Sequence, residues 1–177
     1  MKKLKDVDYK IISELIKNCR ISDRKLSKVV GVSQPTVSRK RAWLEKEELL
    51  NFTAVPNFSK FGFEIMAFSF YSWMPKATGE LIENPEEITK KFSTFLSKHK
   101  NIIFTSHGRG LGMERMMISL HVSYSDYVRL VHDVEQVWGK YLHQSNSFVV
   151  SLKEDVVGRQ FSFKSLGEYI NENRTIF

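Results

Sequence analysis

RKLSKVVGVSQPTVSRKRAWL, residues 24–44, is the stretch of this 177-residue chain that decides the fold of its first part. Gly31 supplies the left-handed residue that ends a short helix in a tight turn. Ser33 caps the helix that follows, and Pro35 stands in its first turn, where a missing N–H is tolerated. The apolar residues that the two helices turn inward are Leu26, Val29, Val30, Val37 and Leu44. The stretch therefore predicts a helix, a glycine turn and a second helix.

A further helix is predicted upstream, because apolar residues there recur at helical spacing. Its stripe consists of Ile11, Ile12, Leu15, Ile16 and Cys19. The cysteine on this stripe is expected to be a small buried apolar residue. Asp6 and Asp8 at the helix start suit the positive end of the helix dipole, and Ser22 or Asp23 caps the next helix. Three helices in this order are typical of a helix-turn-helix.

The positive charge of the chain is concentrated in the same region. The whole chain has a net charge of +7, and residues 1–50 hold thirteen Lys/Arg and seven Asp/Glu, a balance of +6. A three-helix bundle with a solvated basic surface is the alternative to DNA binding. A recognition helix that begins near Ser33 would place short polar side chains and Arg at base edges and cations at phosphates. The predicted DNA-contacting residues are Arg24, Lys28, Ser33, Gln34, Thr36, Ser38, Arg39 and Lys40.

The remaining two thirds of the chain alternate between strand and helix patterns. The predicted elements are a strand at 62–74, a polar loop at 76–84, a helix from Pro85, strands at 102–106 and 116–122, a helix from about Ser125 and a strand at 148–152. The order βαββαβ is that of a ferredoxin-like unit. The fold class is therefore α+β, with a winged helix-turn-helix in front of a ferredoxin-like domain.

The first predicted strand, GFEIMAFSFYSWM, is apolar on both faces. Two helices cover only one face of a four-stranded antiparallel sheet, and large aromatic patches rarely face water. The second face is therefore expected to be covered by another copy of the chain in a two-fold dimer. We expect the isolated region 62–155 to dimerise. Two recognition helices in such a dimer would read a pseudo-palindrome.

The residues quoted above resemble the Lrp/AsnC (leucine-responsive and asparagine-responsive) regulators of bacteria and archaea. LKDVDYKIISELIKNCRIS (4–22) and KLSKVVGVSQPTVSRKRAWLEKEELL (25–50) carry the resemblance, and NFTAVPNFSKFGF (51–63) looks like the connector of that family, which forms a wing-like strand. Arg41 stands where the family usually has an aliphatic residue, Trp43 where it has a basic one, and Glu48 where it has a glycine. The resemblance implies a homodimer that assembles further in some members, into tetramers or octamers.

Four segments follow from these observations. Residues 1–50 are the predicted helix-turn-helix domain and 51–61 the wing and linker. Residues 62–155 are the ferredoxin-like dimerisation and effector domain. Residues 156–177 form a C-terminal extension that is expected to add an edge strand and a short helix.

Many members of the family bind an amino acid near a Gly-x-x-Asp motif at the start of the third strand of this domain. Here Gly112 is followed by Met-Glu-Arg, which puts Arg115 at the Asp position, or Glu114 if the register slips by one residue. Arg offers no acceptor for an ammonium group, so a standard amino-acid site is not expected. His107, Arg109 and Arg115 suit an anionic effector instead. The alternative, which the sequence favours, is a Gly-rich hairpin turn with solvated cations.

The chain shows no pattern typical of an enzyme. Neither a Gly-x-Ser-x-Gly motif nor a phosphate-binding motif is present. The histidines do not have the spacing of metal ligands; they are His99, His107, His121, His132 and His143. Sirohaem decarboxylases share this architecture, but a His-Asn-Tyr-x-Arg type stretch stands where this chain has IIFTSHGRG (102–110). No enzyme activity, cofactor or metal is therefore expected.

Localisation and function follow from these absences and from the basic helix-turn-helix. A single cysteine excludes an internal disulfide, and no signal peptide or apolar run of membrane-spanning length is visible, which favours a cytoplasmic protein. Two functions remain open. One is a sequence-specific transcriptional regulator that binds double-stranded DNA, with a non-standard effector or none. The other is a less specific, chromatin-like DNA-organising protein.

Overall fold

The computed structural model describes residues 4–74, 85–153, 157–158 and 161–174. Its helices are α1 (Asp6–Lys17), α2 (Asp23–Val30), α3 (Gln34–Lys46), α4 (Pro85–Lys98), α5 (Tyr124–Trp138) and α6 (Lys164–Glu172), and its strands are β1 (Ile65–Trp73), β2 (Ile102–Gly110), β3 (Met113–His121) and β4 (Leu142–Ser151). Two compact units form: Met1–Val55 with Gln160–Phe177, and Pro56–Arg159. The loop predicted at 76–84 lies outside the described residues. No described helix is long and apolar enough to cross a membrane.

The helix-turn-helix forms as the local signals predict. Ser22 is the N-cap of α2, and its hydroxyl accepts a hydrogen bond from the backbone N–H of Lys25 at 3.3 Å. Gly31 ends α2 with φ of 78°, in the left-handed region that favours glycine. Val37 and Leu44 of α3 are fully buried in the core that α1, α2 and α3 share. The predicted cap at Ser22 and the glycine turn are therefore confirmed, as is the burial of the predicted inward residues other than Val29. The prediction for Val29 is wrong, because this side chain is 55% exposed on α2.

The prediction for Cys19 is wrong, because the thiol is exposed. Helix α1 ends at Lys17, and Asn18 follows with an extended backbone, φ −153° and ψ 92°. The helical spacing that placed Cys19 on the apolar stripe therefore does not extend to this residue. Ile11, Ile12 and Leu15, which lie inside the helix, are buried as expected.

The wing-like strand predicted within 51–61 is also wrong. Residues 51–57 are neither helix nor strand, and Ser59–Phe61 forms a single 3₁₀ turn that ends at Gly62 with φ of 85°. Pro56 lacks an N–H for a β-ladder, and no described strand pairs with this segment. The helix-turn-helix is thus present without a paired wing.

Glu48, which stands at the family's glycine position, adopts a left-handed backbone with φ of 55°. A residue with a Cβ pays about 1–2 kcal/mol for this conformation. We therefore expect Glu48→Gly to raise the free energy of unfolding of this unit by about 0.5–1 kcal/mol, after the greater chain entropy of glycine is subtracted. Glu47→Gly is the matched control, because Glu47 has φ of −85° and should lose stability. Urea unfolding measures both, and an E48G midpoint at or below wild type would contradict the assignment of strain.

The second unit is a ferredoxin-like α+β fold. Its antiparallel sheet has the strand order β2-β3-β1-β4, and β1 pairs with β3 on one side and β4 on the other. Helices α4 and α5 pack on one face of the sheet. The buried residues of this layer are Tyr71, Phe95, Met117, Leu130, Val134, Trp138 and Tyr141. Burial raises the pKa of the Tyr71 phenol to about 12, so this residue stays neutral in the core.

The opposite face of the sheet, called the open face below, is apolar as predicted. It carries Phe68, Phe70, Phe104, Ile118 and Phe148. Residues that pair in register lie on the same face of a sheet, and Phe68 pairs with Ile118 and Phe148, while Phe104 pairs with Ile118. Phe104 and Phe148 are 50% and 67% exposed. These aromatic side chains in the outer strands have no described helix of this unit over them.

Candidate nucleic-acid interface

Helix α3 presents its N-terminal half to solvent. Ser33, Gln34 and Arg39 are exposed and Thr36 is half-buried. Ser33 is the N-cap residue, but its hydroxyl bonds the Thr36 hydroxyl at 2.9 Å rather than a backbone N–H. The Arg39 Nε donates a long hydrogen bond of 3.4 Å to the Pro35 carbonyl, which leaves most of its guanidinium free. The exposed polar face predicted for a recognition helix is therefore present.

Four exposed cations lie on or beside this face. Arg24, Lys25 and Lys28 on α2 are exposed, as is Arg39 on α3. Within the described ranges, no acidic side chain forms an ion pair with any of them. Unpaired surface cations beside a helix N-terminus suit phosphate groups. Arg24 and Lys28 are thus available for the backbone contacts predicted for them.

Lys40 lies in a different environment from the one the sequence predicted. It is three residues from buried Val37 and four from buried Leu44, so it shares the inward edge of α3. Its ammonium forms an ion pair with Asp8, whose side chain is only 4% exposed. A buried carboxylate needs such a partner. Lys40 therefore stabilises the helix packing, and its predicted phosphate contact would require that the ion pair break.

Ser38 is also engaged within the protein. Its hydroxyl lies 2.6 Å from an Asp23 carboxylate oxygen and 3.2 Å from the Gln34 carbonyl, so its hydrogen is used and only an acceptor remains. The same Asp23 accepts a contact from the Arg41 guanidinium at 3.1 Å. Asp23 thus ties the start of α2 to the middle of α3.

Arg41 and Trp43, the two departures from the family pattern in α3, serve packing. The Arg41 guanidinium donates to the Ile21 carbonyl at 2.7 Å, which fixes the link between α1 and α2. Its Nε is buried without a partner. Trp43 packs against the core of the three helices. The sequence did not predict the packing contacts of Arg41 and Asp8, because their partners are distant in the chain. The available signal was the position of Asp8, a carboxylate at helical spacing from the apolar residues Ile11 and Ile12.

The four residues predicted for an effector do not form one cluster. His107 and Arg115 are opposite each other on β2 and β3, and an Arg115 guanidinium nitrogen lies 2.9 Å from His107 Nε2. Glu114 points to the other face of β3, and its carboxylate accepts a hydrogen bond from the Trp73 N–H at 3.1 Å. Arg109 is exposed near the end of β2. Only His107 and Arg115 are brought together.

The geometry defines a class of protein: a helix-turn-helix DNA-binding domain in the same chain as a ferredoxin-like domain. Residues 4–45 match the AsnC-type helix-turn-helix domain. This match confirms the resemblance to the Lrp/AsnC family in the region that was most specific to it. A comparison with curated proteins gave no match.

Solved structures of transcriptional regulators share the fold over nearly the whole chain. A transcriptional regulator from Neisseria meningitidis, solved as a complex with L-Met, has a TM-score of 0.69 at 18% identity, over 93% of this chain and 99% of that one. LrpC from B. subtilis has a TM-score of 0.64 at 20% identity, over 89% and 100%. AsnC from E. coli has a TM-score of 0.64 at 14% identity, over 90% and 99%. The chain therefore has the Lrp/AsnC fold.

Proposed function

We propose that this chain is a sequence-specific transcriptional regulator of the Lrp/AsnC type, which reads double-stranded DNA through α3 as a homodimer or higher oligomer. The observation that carries the proposal is the exposed face of α3 with Gln34 and Arg39, inside a domain that matches the AsnC type. The cations beside this face form no ion pair with a described acidic residue. Proteins of this fold are named as transcriptional regulators, so we propose a binding protein and not an enzyme. We propose that it acts in the cytoplasm, as the resemblance to regulators of bacteria and archaea implies.

Selection of bound fragments from genomic or random DNA tests this function. A regulator should enrich a pseudo-palindromic site and bind it about 10³-fold or more tightly than unrelated DNA at physiological salt. A chromatin-like protein should enrich no sequence and should depend on phosphate contacts alone, with a steep salt slope. Equal affinity for selected and unrelated fragments would replace the first proposal with the second.

The dimer is proposed to form through the open face of the sheet, with a second copy of the chain as the occupant. Phe68, Phe70 and Ile118 form a continuous apolar strip across β1 and β3, with Phe104 and Phe148 in the outer strands. A two-fold axis on this strip would bring identical apolar surfaces together, which is the usual form of a homodimer contact. The exposed aromatic rings would then lose their contact with water.

Phe148→Glu should weaken this dimer by about tenfold or more, because a carboxylate would be buried against apolar side chains. Tyr124→Glu is the matched control, since Tyr124 is 64% exposed on α5, over the other face of the sheet. Sedimentation of the full-length protein at micromolar concentration measures the association. A monomeric wild type, or equal effects of the two substitutions, would contradict the proposed interface.

A further inference from the structure

A cleft of about 370 Å³ lies between α4 and the helix-covered face of the sheet. Aromatic side chains of Trp73, Phe92 and Trp138 form its walls. Apart from Thr89 on α4, its polar side chains lie on β2 and β3, where His107 and Arg115 are opposite each other. Clefts of about 300–1,000 Å³ with apolar walls and few polar groups are typical binding sites for small molecules.

Arg115 is the distinctive group of this cleft. Its guanidinium carbon lies 4.5 Å from the centroid of the Phe92 ring and 5.6 Å from that of Trp73. Its Nε is buried with no hydrogen-bond partner, and no described acidic residue forms an ion pair with it. Burial lowers the pKa of Arg115 from its usual value, which is the expected response of a poorly solvated cation. Such a cation would be stabilised by an anion in the cleft.

His107 holds the guanidinium in place for such an anion. Because Arg115 is the donor in the 2.9 Å hydrogen bond, the Nε2 of His107 is the acceptor and carries no proton. One guanidinium nitrogen is thus fixed by the imidazole while Nε has no partner. A planar guanidinium oriented in this way matches a carboxylate better than a point charge does.

The described lining of the same cleft offers no carboxylate to an ammonium group. None of the described residues that line it is Asp or Glu, and Thr105 uses its hydroxyl hydrogen on the Met116 carbonyl. Glu114, the neighbouring acid, lies on the opposite face of β3 and accepts the Trp73 N–H. An amino acid would bring an ammonium group close to Arg115, where none of the described lining residues has a carboxylate to receive it. The site therefore differs in chemistry from one that recognises both charges of an amino acid.

We propose that this cleft binds a small monocarboxylic acid with an apolar, preferably aromatic, body and no ammonium group. The carboxylate pairs with Arg115, and the body packs between Trp73, Phe92 and Trp138. The cleft would then be the effector site of a DNA-binding regulator, so this inference rests on the function proposed above.

Three compounds with the same phenyl body separate the charges that the cleft accepts. The probes are 3-phenylpropionate with a carboxylate alone, L-phenylalanine with both charges, and 2-phenylethylamine with an ammonium alone. Calorimetry and tryptophan fluorescence of the full-length protein measure binding, since Trp73 and Trp138 line the cleft. Arg115→Gln removes the charge, and Arg109→Gln is the matched control on the same hairpin, where Arg109 is exposed. Arg115→Lys replaces Arg115→Gln if the latter does not fold.

We expect 3-phenylpropionate to bind the wild type and R109Q with equal affinity. L-phenylalanine should bind the wild type on the order of tenfold more weakly than 3-phenylpropionate does. R115Q should lose on the order of tenfold in affinity for 3-phenylpropionate. R115K should lose affinity as well, because lysine lacks the planar fork. Equal binding of L-phenylalanine, unchanged binding by the Arg115 variant, or no binding of 3-phenylpropionate at millimolar concentration would overturn the inference. DNA binding without ligand is measured on the same proteins, so failure of the cleft with intact DNA binding leaves the proposed function standing.

Discussion

Replacing Arg39 with alanine should weaken binding to the selected DNA site by about 1–3 kcal/mol, roughly five- to 150-fold at fixed salt. Arg39 is exposed on the face of α3 that is free of intramolecular ion pairs, and its one hydrogen bond, to the Pro35 carbonyl, is long. A guanidinium in this position of a recognition helix reaches base edges or phosphates in the major groove. Because the side chain supports no core packing, the substitution should leave thermal stability unchanged.

The controls separate base contact from charge. Arg39→Lys keeps the charge but loses the planar fork, so it should recover affinity for unrelated DNA and recover little of the specificity. Lys46→Ala removes an exposed cation from the C-terminal end of the same helix and should have the smaller effect. Titration of labelled fragments with each variant gives the affinities. The same affinity for R39A and wild type at fixed salt would remove Arg39 from the interface.

The helix-turn-helix was predictable because its signals are local. Ser22, Gly31 and Pro35 each act on the backbone within a few residues, and the structure places all three as expected. The burial predicted from the apolar stripe of α1 was wrong only beyond Lys17, where the helix ends and helical spacing no longer applies. Backbone signals that act over a few residues were therefore assigned correctly. The inward positions were wrong for Cys19, which lies beyond the end of α1, and for Val29, which is exposed on α2.

Pairs that join distant segments were not predictable. Asp8 and Lys40 are separated by 32 residues, and their ion pair turns a supposed DNA contact into a packing contact. Charge alone does not show whether a lysine faces solvent or a buried carboxylate. The prediction of a wing was wrong for a related reason. A strand needs a partner strand, and the apolar pattern of 51–61 does not show whether one is present.

The sheet shows the same division between local pattern and register. Alternation predicted β1, β3 and the two apolar faces, which the antiparallel pairing confirms. The cleft around Arg115 depends on three separate segments, since Trp73, Phe92 and Arg115 meet only once the register and the position of α4 are set. The sequence identified Arg115 as unusual, but the aromatic side chains that surround its guanidinium are visible only in three dimensions.

The C-terminal extension gives a further example. A short helix was expected there and is present as α6, whereas no edge strand is present within 157–158 and 161–174. The sequence did not indicate that α6 packs on α1. The buried Ser13 hydroxyl donates to the Gly167 carbonyl at 2.7 Å, and Ile170 packs against the helix-turn-helix core. Residues far apart in the chain therefore belong to one folding unit.

An ion pair at the end of this contact reinforces it. The Arg174 guanidinium lies 2.6 Å from one carboxylate oxygen of Asp6, and the Lys10 ammonium lies 2.9 Å from the other. The hydrogen bond from Lys10, together with the charge of Arg174, lowers the pKa of Asp6. Exposed pairs of this kind contribute little, so the contact depends mainly on close packing at Gly167.

Gly167→Val should therefore destabilise the DNA-binding unit by about 3 kcal/mol. A Cβ at Gly167 would lie 2.8 Å from the Ser13 carbonyl oxygen and 3.1 Å from Cγ of Lys17, so α6 must move away from α1. Because the obstacle is the backbone of α1, rotation of a side chain does not relieve it. The movement would also remove the Ser13 hydrogen bond and withdraw Ile170 from the core.

Glu168→Val is the matched control for this effect, because it places the same β-branched residue at the adjacent, exposed position of α6. It carries the helix-propensity cost of valine without the clash and should lose less than about 1 kcal/mol. Urea unfolding of the full-length protein, followed by far-UV circular dichroism, gives both values. Equal midpoints for G167V and E168V would show that α6 does not depend on contact with α1. A lower midpoint for G167V, accompanied by weaker DNA binding, would make the C-terminal helix an integral part of the DNA-binding domain.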